Sequence, residues 1–187
     1  MNSDSMDEGD LIAGTLRGDS EAFGQLVRRY QDRLYTNMVH ILGNEEDARD
    51  VVQDAFVQAL THLAGFQQAS SFYTWLYRIA FNVAMNRKNR ERTEQQALQQ
   101  RTTPSSGTSA VSADSEILRR ERIHQVHLAL AELDEPFRAV LVLRELEQLD
   151  YATIAEILQI EVGTVRSRLH RARILMRETL DRLHIDD

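Results

Sequence analysis

The sequence predicts an all-helical protein, two small helical domains on a flexible tether, and three observations predict it. Among 187 residues there are only two prolines and eight glycines, and little of the chain alternates as a half-buried strand would. Apolar residues recur instead at helical spacing, as Val165, Leu169, Ala172 and Met176 do at i, i+4, i+7 and i+11. Between the periodic halves lies T-T-P-S-S-G-T-S-A-V-S-A-D-S (102–115), which has no apolar face and reads as a linker. The expected division is a disordered acidic tail over 1–8, a first domain over 9–92, a linker over 93–115 and a second domain over 116–187.

Taken in order, Gly18-Asp19-Ser20 opens a helix over about 21–42, with Asp19 or Ser20 as its cap. Phe23, Leu26, Val27, Tyr30, Leu34 and Met38 share one side of it. Gly43 ends that helix and Asn44 caps the next, over roughly 45–63, whose core stripe is Val52, Ala55, Phe56, Ala59 and Leu63. Glu45, Glu46 and Asp47 suit the positive end of the helix dipole. Asp50, Gln53 and Asp54 lie further in, with Val51 beside them, and this mixed acidic and apolar face suits a basic partner helix.

A loop over 65–71 leads into a helix over about 72–92, which T-E-Q-Q-A-L-Q-Q-R extends for some turns. Half of the chain's twelve aromatics gather here. Trp75, Leu76, Ile79, Ala80 and Val83 form an apolar face, while Tyr77, Arg78, Phe81, Asn82, Met85, Lys88 and Asn89 form the other. Aromatics, amides and cations together supply the stacking surfaces, base-edge donors and phosphate partners that single-stranded nucleic acid requires. Beyond the linker, periodicity returns at Glu116 with Ile123, Val126, Leu130 and Leu133. Pro136 then opens a further helix carrying Phe137, Val140, Leu141 and Leu143.

The stretch from Tyr151 to Arg177 holds two short helical patterns around Gln159-Ile160-Glu161. Ile154, Ala155, Ile157 and Leu158 supply the first apolar face, and the stripe at Val165 supplies the second. This is the spacing of a helix-turn-helix, whose second helix enters the DNA major groove. Opposite that stripe lie Ser167, His170, Arg171 and Ile174, flanked by Arg166. The segment holds Arg166, Arg168, Arg171, Arg173 and Arg177, with no acid from Val162 to Arg177. Arginine is the side chain best matched to guanine edges and phosphates. Gln159 stands where such turns often carry glycine, which makes the turn the least regular part of the unit.

Composition excludes several classes. Without cysteine there is no disulfide, thiol catalysis or zinc finger, and the expected compartment is the cytoplasm. No apolar run is long enough to span a bilayer, and the acidic first residues are not a signal peptide. No phosphate-binding glycine loop or nucleophile motif is present, and His124-x-x-His127 lacks a third ligand and reads as a solvated helix face. We therefore expect no enzyme, no metal and no cofactor. The net charge of −7 conceals segregation, with acids early and arginines in the second domain. A helix-turn-helix regulator that acts without a polymerase shares the C-terminal evidence. It leaves the Asp50–Asp54 face and the Tyr77–Asn89 face without a task.

Three segments in this order, D-A-R-D-V-V-Q-D-A-F-V-Q-A-L (47–60), F-Y-T-W-L-Y-R-I-A-F-N-V-A-M-N (72–86) and V-G-T-V-R-S-R-L-H-R-A-R (162–173), resemble the extracytoplasmic-function (group IV) sigma factors of bacterial RNA polymerase. The likeness is greatest to the envelope-stress type. It implies that Asp50, Val51, Gln53 and Asp54 dock the clamp helices of the polymerase β′ subunit, with the β flap as a further contact. It implies that Phe66, Ser71, Phe72, Tyr77, Arg78, Phe81, Asn82, Lys88 and Asn89 belong to the part that traps the non-template single strand of the minus-ten element. Arg166, Ser167, Arg168, His170, Arg171 and Arg173 would read the minus-thirty-five duplex, with His170 where a close relative carries Phe. An anti-sigma factor is a further expected partner. Such a protein performs no covalent chemistry and does not insert in a membrane. A sigma-mimicking adaptor that titrates an anti-sigma factor would not need the arginine set.

Overall fold

Helix boundaries fall where cap chemistry puts them. In the computed structural model, which describes residues 7–98 and 125–183, helix α2 (Ser20–Leu42) starts at Asp19, whose carboxylate accepts from the Glu21 and Ala22 amides at 2.9 and 3.3 Å. It stops at Gly43, whose φ of 75° is the left-handed conformation that glycine adopts most readily. Asn44 then caps α3 (Glu45–His62), accepting from the Glu46 and Asp47 amides at 2.8 and 3.4 Å. A short 3-10 turn (Leu63–Gly65) and an irregular loop follow before α4 (Phe72–Leu98), which Ser71 caps through the Thr74 amide. These four boundaries match the sequence expectation.

An additional helix, α1 (Glu8–Leu16), precedes them, beginning inside the stretch read as a tail. It buries Leu11 and Ile12. Gly14 permits its approach to α2, since a Cβ there would stand 3.0 Å from the Ala22 methyl. Its Glu8 accepts the Tyr30 hydroxyl and, at 3.3 Å, the Phe72 amide, and so ties α1 to α2 and α4. Burial together with the Glu8 carboxylate pushes the Tyr30 phenol up to about 12.

Helix α4 packs differently from the expected division of faces. Phe72, Tyr73, Leu76, Tyr77, Ala80 and Ala84 are its buried apolar and aromatic residues among those described, with Thr74 buried beside them, while Trp75, Ile79 and Val83 are half-buried. The stripe therefore lies about one residue around from the predicted one, because Tyr73, Tyr77, Ala80 and Ala84 themselves recur at helical spacing. Residues 93–98 of the expected linker belong to α4, and 99–115 lie outside the described residues, as do the expected helical return at Glu116 and Ile123.

The second half begins with a helix over 125–132 (α5), followed by α6 (Glu135–Leu141) with Pro136 in its first turn. A single π-helical turn (Val142–Leu146) continues it, then come α7 (Tyr151–Leu158) and α8 (Val162–Arg182). Leu130, Leu133, Val140, Leu143, Ile154, Ile157, Val165 and Leu169 fill the core between them, each such side chain contributing about 1.5–3 kcal/mol. Val126, expected on the α5 stripe, faces solvent.

The two halves pack against each other: α7 lies on α4, and α6 with its π turn meets α2. Arg138, only 6 % exposed, spans the junction. Its guanidinium donates to the Ile41, Ala131 and Leu133 carbonyls at 2.8 Å each, so one cation satisfies the C-terminal ends of α2 and α5. Burial lowers its pKa, which the neighbouring Glu135 and Asp134 oppose. His127 is not solvated as expected but meets His40 edge-on, ring centroids 4.5 Å apart. Replacing Arg138 by Met strands three carbonyls and is expected to cost about 2–4 kcal/mol, read as a lower urea midpoint.

His40 gives the junction a pH dependence. Burial, and secondarily His127, lower it to about 4, whereas an unfolded histidine titrates near ~6.5. Between these values only the unfolded chain takes up the proton, so stability present above ~6.5 is lost as pH falls toward 4. His40→Phe is expected to flatten the fall in urea midpoint between pH ~7.5 and ~5 relative to the parent chain.

Candidate nucleic-acid and protein interfaces

The helix-turn-helix assembles as its sequence implies. Asp150 caps α7, accepting from the Thr153 amide at 2.8 Å, and that bond lowers its pKa. Gln159 ends α7 at φ 53° and ψ 47°, the left-handed conformation that a non-glycine adopts at some cost, and the Ile160 amide closes back on the Ala155 carbonyl at 3.0 Å. Val165, Leu169 and Ala172 are then buried against α7 and α6, and the opposite arc of α8 presents Arg166, Ser167, His170 and Arg171 to solvent. The Ser167 hydroxyl donates to the Thr164 carbonyl at 3.0 Å.

Two of the six residues expected to read duplex DNA are placed otherwise. Arg173 donates through Nε and a terminal nitrogen to Glu145, at 3.1 and 2.7 Å, pinning α8 to the π turn, and this raises its pKa. Arg168 is half-buried and lines a shallow hollow with Glu156, Gln159, Glu161 and Thr164. The exposed arc is therefore narrower than the arginine count suggests.

On α3, Asp50, Gln53 and Asp54 are exposed, but Val51 is completely buried. Val51 is thus a core residue, since it points to the same side as Ala48 and Ala55. The apolar groups that do share the exposed face are Val57 and Leu60, 60 and 50 % exposed, at i+4 and i+7 from Gln53. Sequence reading passed over them, although that spacing was the available signal. Asp50 also receives Arg87 of α4 at 2.9 Å, as Asp47 does at 3.0 Å.

The aromatic region divides into support and surface. Phe72 is fully buried, its ring 5.7 Å from both Tyr30 and Trp75, with Phe66 half-buried above it, 5.0 Å from Trp75 and 6.0 Å from Phe72. Tyr77 is also fully buried, so neither Phe72 nor Tyr77 offers a stacking face to solvent here. Both lie under the surface because the α4 core stripe is rotated as described above. Ser71 and Asn82 are exposed, and Asn82 lines a hollow between α3 and α4 with Asp54, Gln58, Asn86 and Arg90. Arg78 and Lys88 are half-buried and face carboxylates of the second half, Glu156 at 3.4 Å and Glu135 at 3.6 Å. Phe81 is half-buried, and the Asn89 side chain lies outside the described residues. Among the described residues, no cluster of His, Asp and Glu could hold a metal ion.

A helix-turn-helix with an uncompensated arginine arc, joined to a second helical unit with an acidic and apolar face, defines a DNA-binding protein with a protein partner. The known proteins it resembles specify the class. Residues 26–94 match the Sigma-70 region 2 family and residues 123–176 the Sigma-70, region 4 family. The RNA polymerase sigma-H factor of Pseudomonas aeruginosa is 38 % identical over 170 residues, covering 87 % of this chain and 88 % of the relative. The ECF RNA polymerase sigma-E factor of Escherichia coli K12 is 37 % identical over 178 residues, with the same coverage. CnrH, solved in complex with the cytosolic domain of CnrY, is 29 % identical with a TM-score of 0.66, covering 91 % of this chain and 95 % of CnrH. The sigma factor RpoE of Bartonella quintana, solved with the anti-sigma factor NepR, has a TM-score of 0.70 at 23 % identity, covering 88 % and 98 %, and shares the fold. The chain belongs to the extracytoplasmic-function sigma factors of RNA polymerase.

Gln159→Gly tests the turn. Relief of the left-handed backbone outweighs the added freedom of the unfolded chain, so the variant is expected to gain roughly 0.5–1 kcal/mol and about 1–4 °C in Tm by calorimetry.

Proposed function

We propose that this chain carries out its family's task, directing core RNA polymerase to promoters and helping to melt them, through three separate surfaces. The α3 face of Asp50, Gln53 and Asp54, extended by Val57 and Leu60, is assigned to the clamp helices of the polymerase β′ subunit. Phe66, Ser71, Arg78, Phe81, Asn82, Lys88 and Asn89 are assigned to the unstacked non-template strand of the minus-ten element, with Phe72 and Tyr77 beneath them as support. Arg166, Ser167, His170 and Arg171 are assigned to the minus-thirty-five duplex, with Arg168 and Arg173 toward its phosphates. The observation that carries the reading is the α8 arc: four exposed polar side chains over an apolar stripe, with no acid from Val162 to Arg177.

The chemistry is binding alone. Each captured base offsets part of its unpairing cost, on the order of 1–3 kcal/mol, which shifts the population toward the melted promoter. The expected limits of 9–92 and 116–187 are adjusted at the first domain, since α1 begins at Glu8 and α4 runs to Leu98, and we assign the linker to 99–115. The second also meets the β flap. We further assign the chain to the cytoplasm, where polymerase acts, and to a stress-response regulon. Among the described residues no helix is long and apolar enough to cross a membrane. CnrH was solved with the cytosolic domain of a second protein, CnrY, which supports a protein partner for this chain, and we assign that partner as an anti-sigma factor.

Run-off transcription with core polymerase over a promoter library tests the reading, which fails if added protein changes no start site. Arg171→Ala in the reconstituted holoenzyme is expected to weaken promoter binding by about 1–3 kcal/mol on the cognate upstream element. An equal loss on a scrambled element would instead mark a phosphate contact.

A further inference from the structure

The loop over 66–71, assigned above to the unstacked strand, takes its place from the helix that follows it. Gln68 adopts φ 55° there, an uncommon conformation for a residue other than glycine, and Gln67, Gln68 and Ala69 are exposed. Both ends of the loop are fixed on α4. Phe66 rests half-buried near Phe72 and Trp75, while the Ser71 hydroxyl accepts from the Thr74 amide at 3.1 Å and meets the Thr74 hydroxyl at 2.9 Å. Where the loop stands therefore depends on where the first turn of α4 stands.

That turn has a second cap, supplied from far away in sequence. Asp19, Asn44 and Asp150 each cap the helix that directly follows them, as Ser71 does for α4. Glu8 instead reaches the Phe72 amide from 64 residues away. One of its carboxylate oxygens accepts that amide at 3.3 Å, and the other accepts the Tyr30 hydroxyl. The Tyr30 ring lies 5.7 Å from Phe72 and 5.5 Å from Tyr73. A single half-buried carboxylate thus fixes the backbone at the start of α4, where the helix dipole favours an anion, together with the ring packed beneath it. Its own helix, α1, precedes the residues 26–94 that match region 2, so that match gives Glu8 no role.

We propose that Glu8 is a positioning residue for base capture. By bridging Tyr30 and the Phe72 amide it keeps the loop over 66–71 in one conformation, so that Phe66 and Ser71 meet the minus-ten strand already in place. The effect on DNA rests on the minus-ten assignment made above, whereas the ordering of the loop does not. A loop released from the bridge occupies the competent conformation only part of the time, and affinity for a matching strand falls by that fraction. Phosphate contacts carry no base information, so a strand of altered sequence loses little. Discrimination at the minus-ten element is lost, and DNA binding as a whole is kept.

Trp75 is the only tryptophan in the chain, and its ring centroid lies 5.0 Å from that of Phe66. Its quenching by acrylamide therefore reports the order of the loop in the free, full-length protein. Glu8→Ala is expected to raise the quenching constant about twofold, since the loop opens locally while the rest stays folded. Glu8→Gln is expected to stay at the wild-type value, because its amide oxygen accepts from Phe72 and its nitrogen donates to the Tyr30 oxygen. Tyr30→Phe keeps the ring and removes one arm of the bridge. It is expected to lie between the two, and it guards against a Glu8 variant that merely unfolds. Reconstituted holoenzyme is then given a fluorescent single strand with the minus-ten bases of a promoter from the run-off library, and the same strand with those bases shuffled. The ratio of the two affinities is expected to fall about fivefold with Glu8→Ala and to be kept by Glu8→Gln.

Quenching unmoved by Glu8→Ala, a Glu8→Gln chain as loose as Glu8→Ala, or a loosened loop that leaves the affinity ratio at its wild-type value would each overturn the proposal. A wild-type holoenzyme with no preference between the strands would defeat the minus-ten assignment itself. The quenching series needs neither polymerase nor DNA, and it decides separately whether Glu8 orders the loop.

Discussion

Helix α4 has more to contact than one helix face allows, and the rest of the structure follows from how that constraint is met. Tyr73, Leu76, Tyr77, Ala80 and Ala84 must be buried, with α3 and α2 on one side and α7 on the other. Two alanines at the end of the stripe let neighbouring backbones approach, while the tyrosines fill the wider space near α2. What remains for an external partner is the margin of the helix, where Asn82 is exposed and Phe81 half-buried. A nucleic-acid surface on this helix is therefore an edge supported from beneath by aromatics, with Phe72 and Phe66 bracing the loop that precedes it.

Much of this was legible in the residues because caps and stripes are local. Asp19, Gly43, Asn44 and Pro136 set boundaries through their own hydrogen bonds and dihedral preferences, so no tertiary information was required. The α8 stripe was readable for a related reason, since Val165, Leu169 and Ala172 are apolar and the opposite arc is strongly cationic. Tyr77 and Val51 were expected at a surface and are buried, because tyrosine and valine are equally at home in a core and at an interface, and which applies depends on an element far away in sequence. Helix α1 was missed because its buried pair, Leu11 and Ile12, is too short a stripe to stand out beside glycines and acids. The Arg33–Glu147 pair joins residues whose spacing says nothing of their meeting.

Charge segregation connects these points to function. The chain is acidic overall, yet an arginine arc on α8 can still meet DNA because potential near a surface is set within a Debye length of about 8–10 Å, not by the sum over the molecule. The acids then act elsewhere. Those of α3 are exposed or pair with Arg87, Glu145 restrains Arg173, and Glu147 is buried against Arg33. Each arginine held by a carboxylate is withdrawn from non-specific phosphate binding, which is otherwise the dominant sequence-independent attraction between a protein and DNA.

The same argument explains why so small a protein benefits from a polymerase partner. The surface proposed for duplex DNA is four side chains on one helix, and the one proposed for unstacked bases is the margin of α4, so neither alone offers many phosphate contacts. Held on one body at the right separation, the two act on one DNA molecule, and the second contact forms at the high effective concentration set by the first.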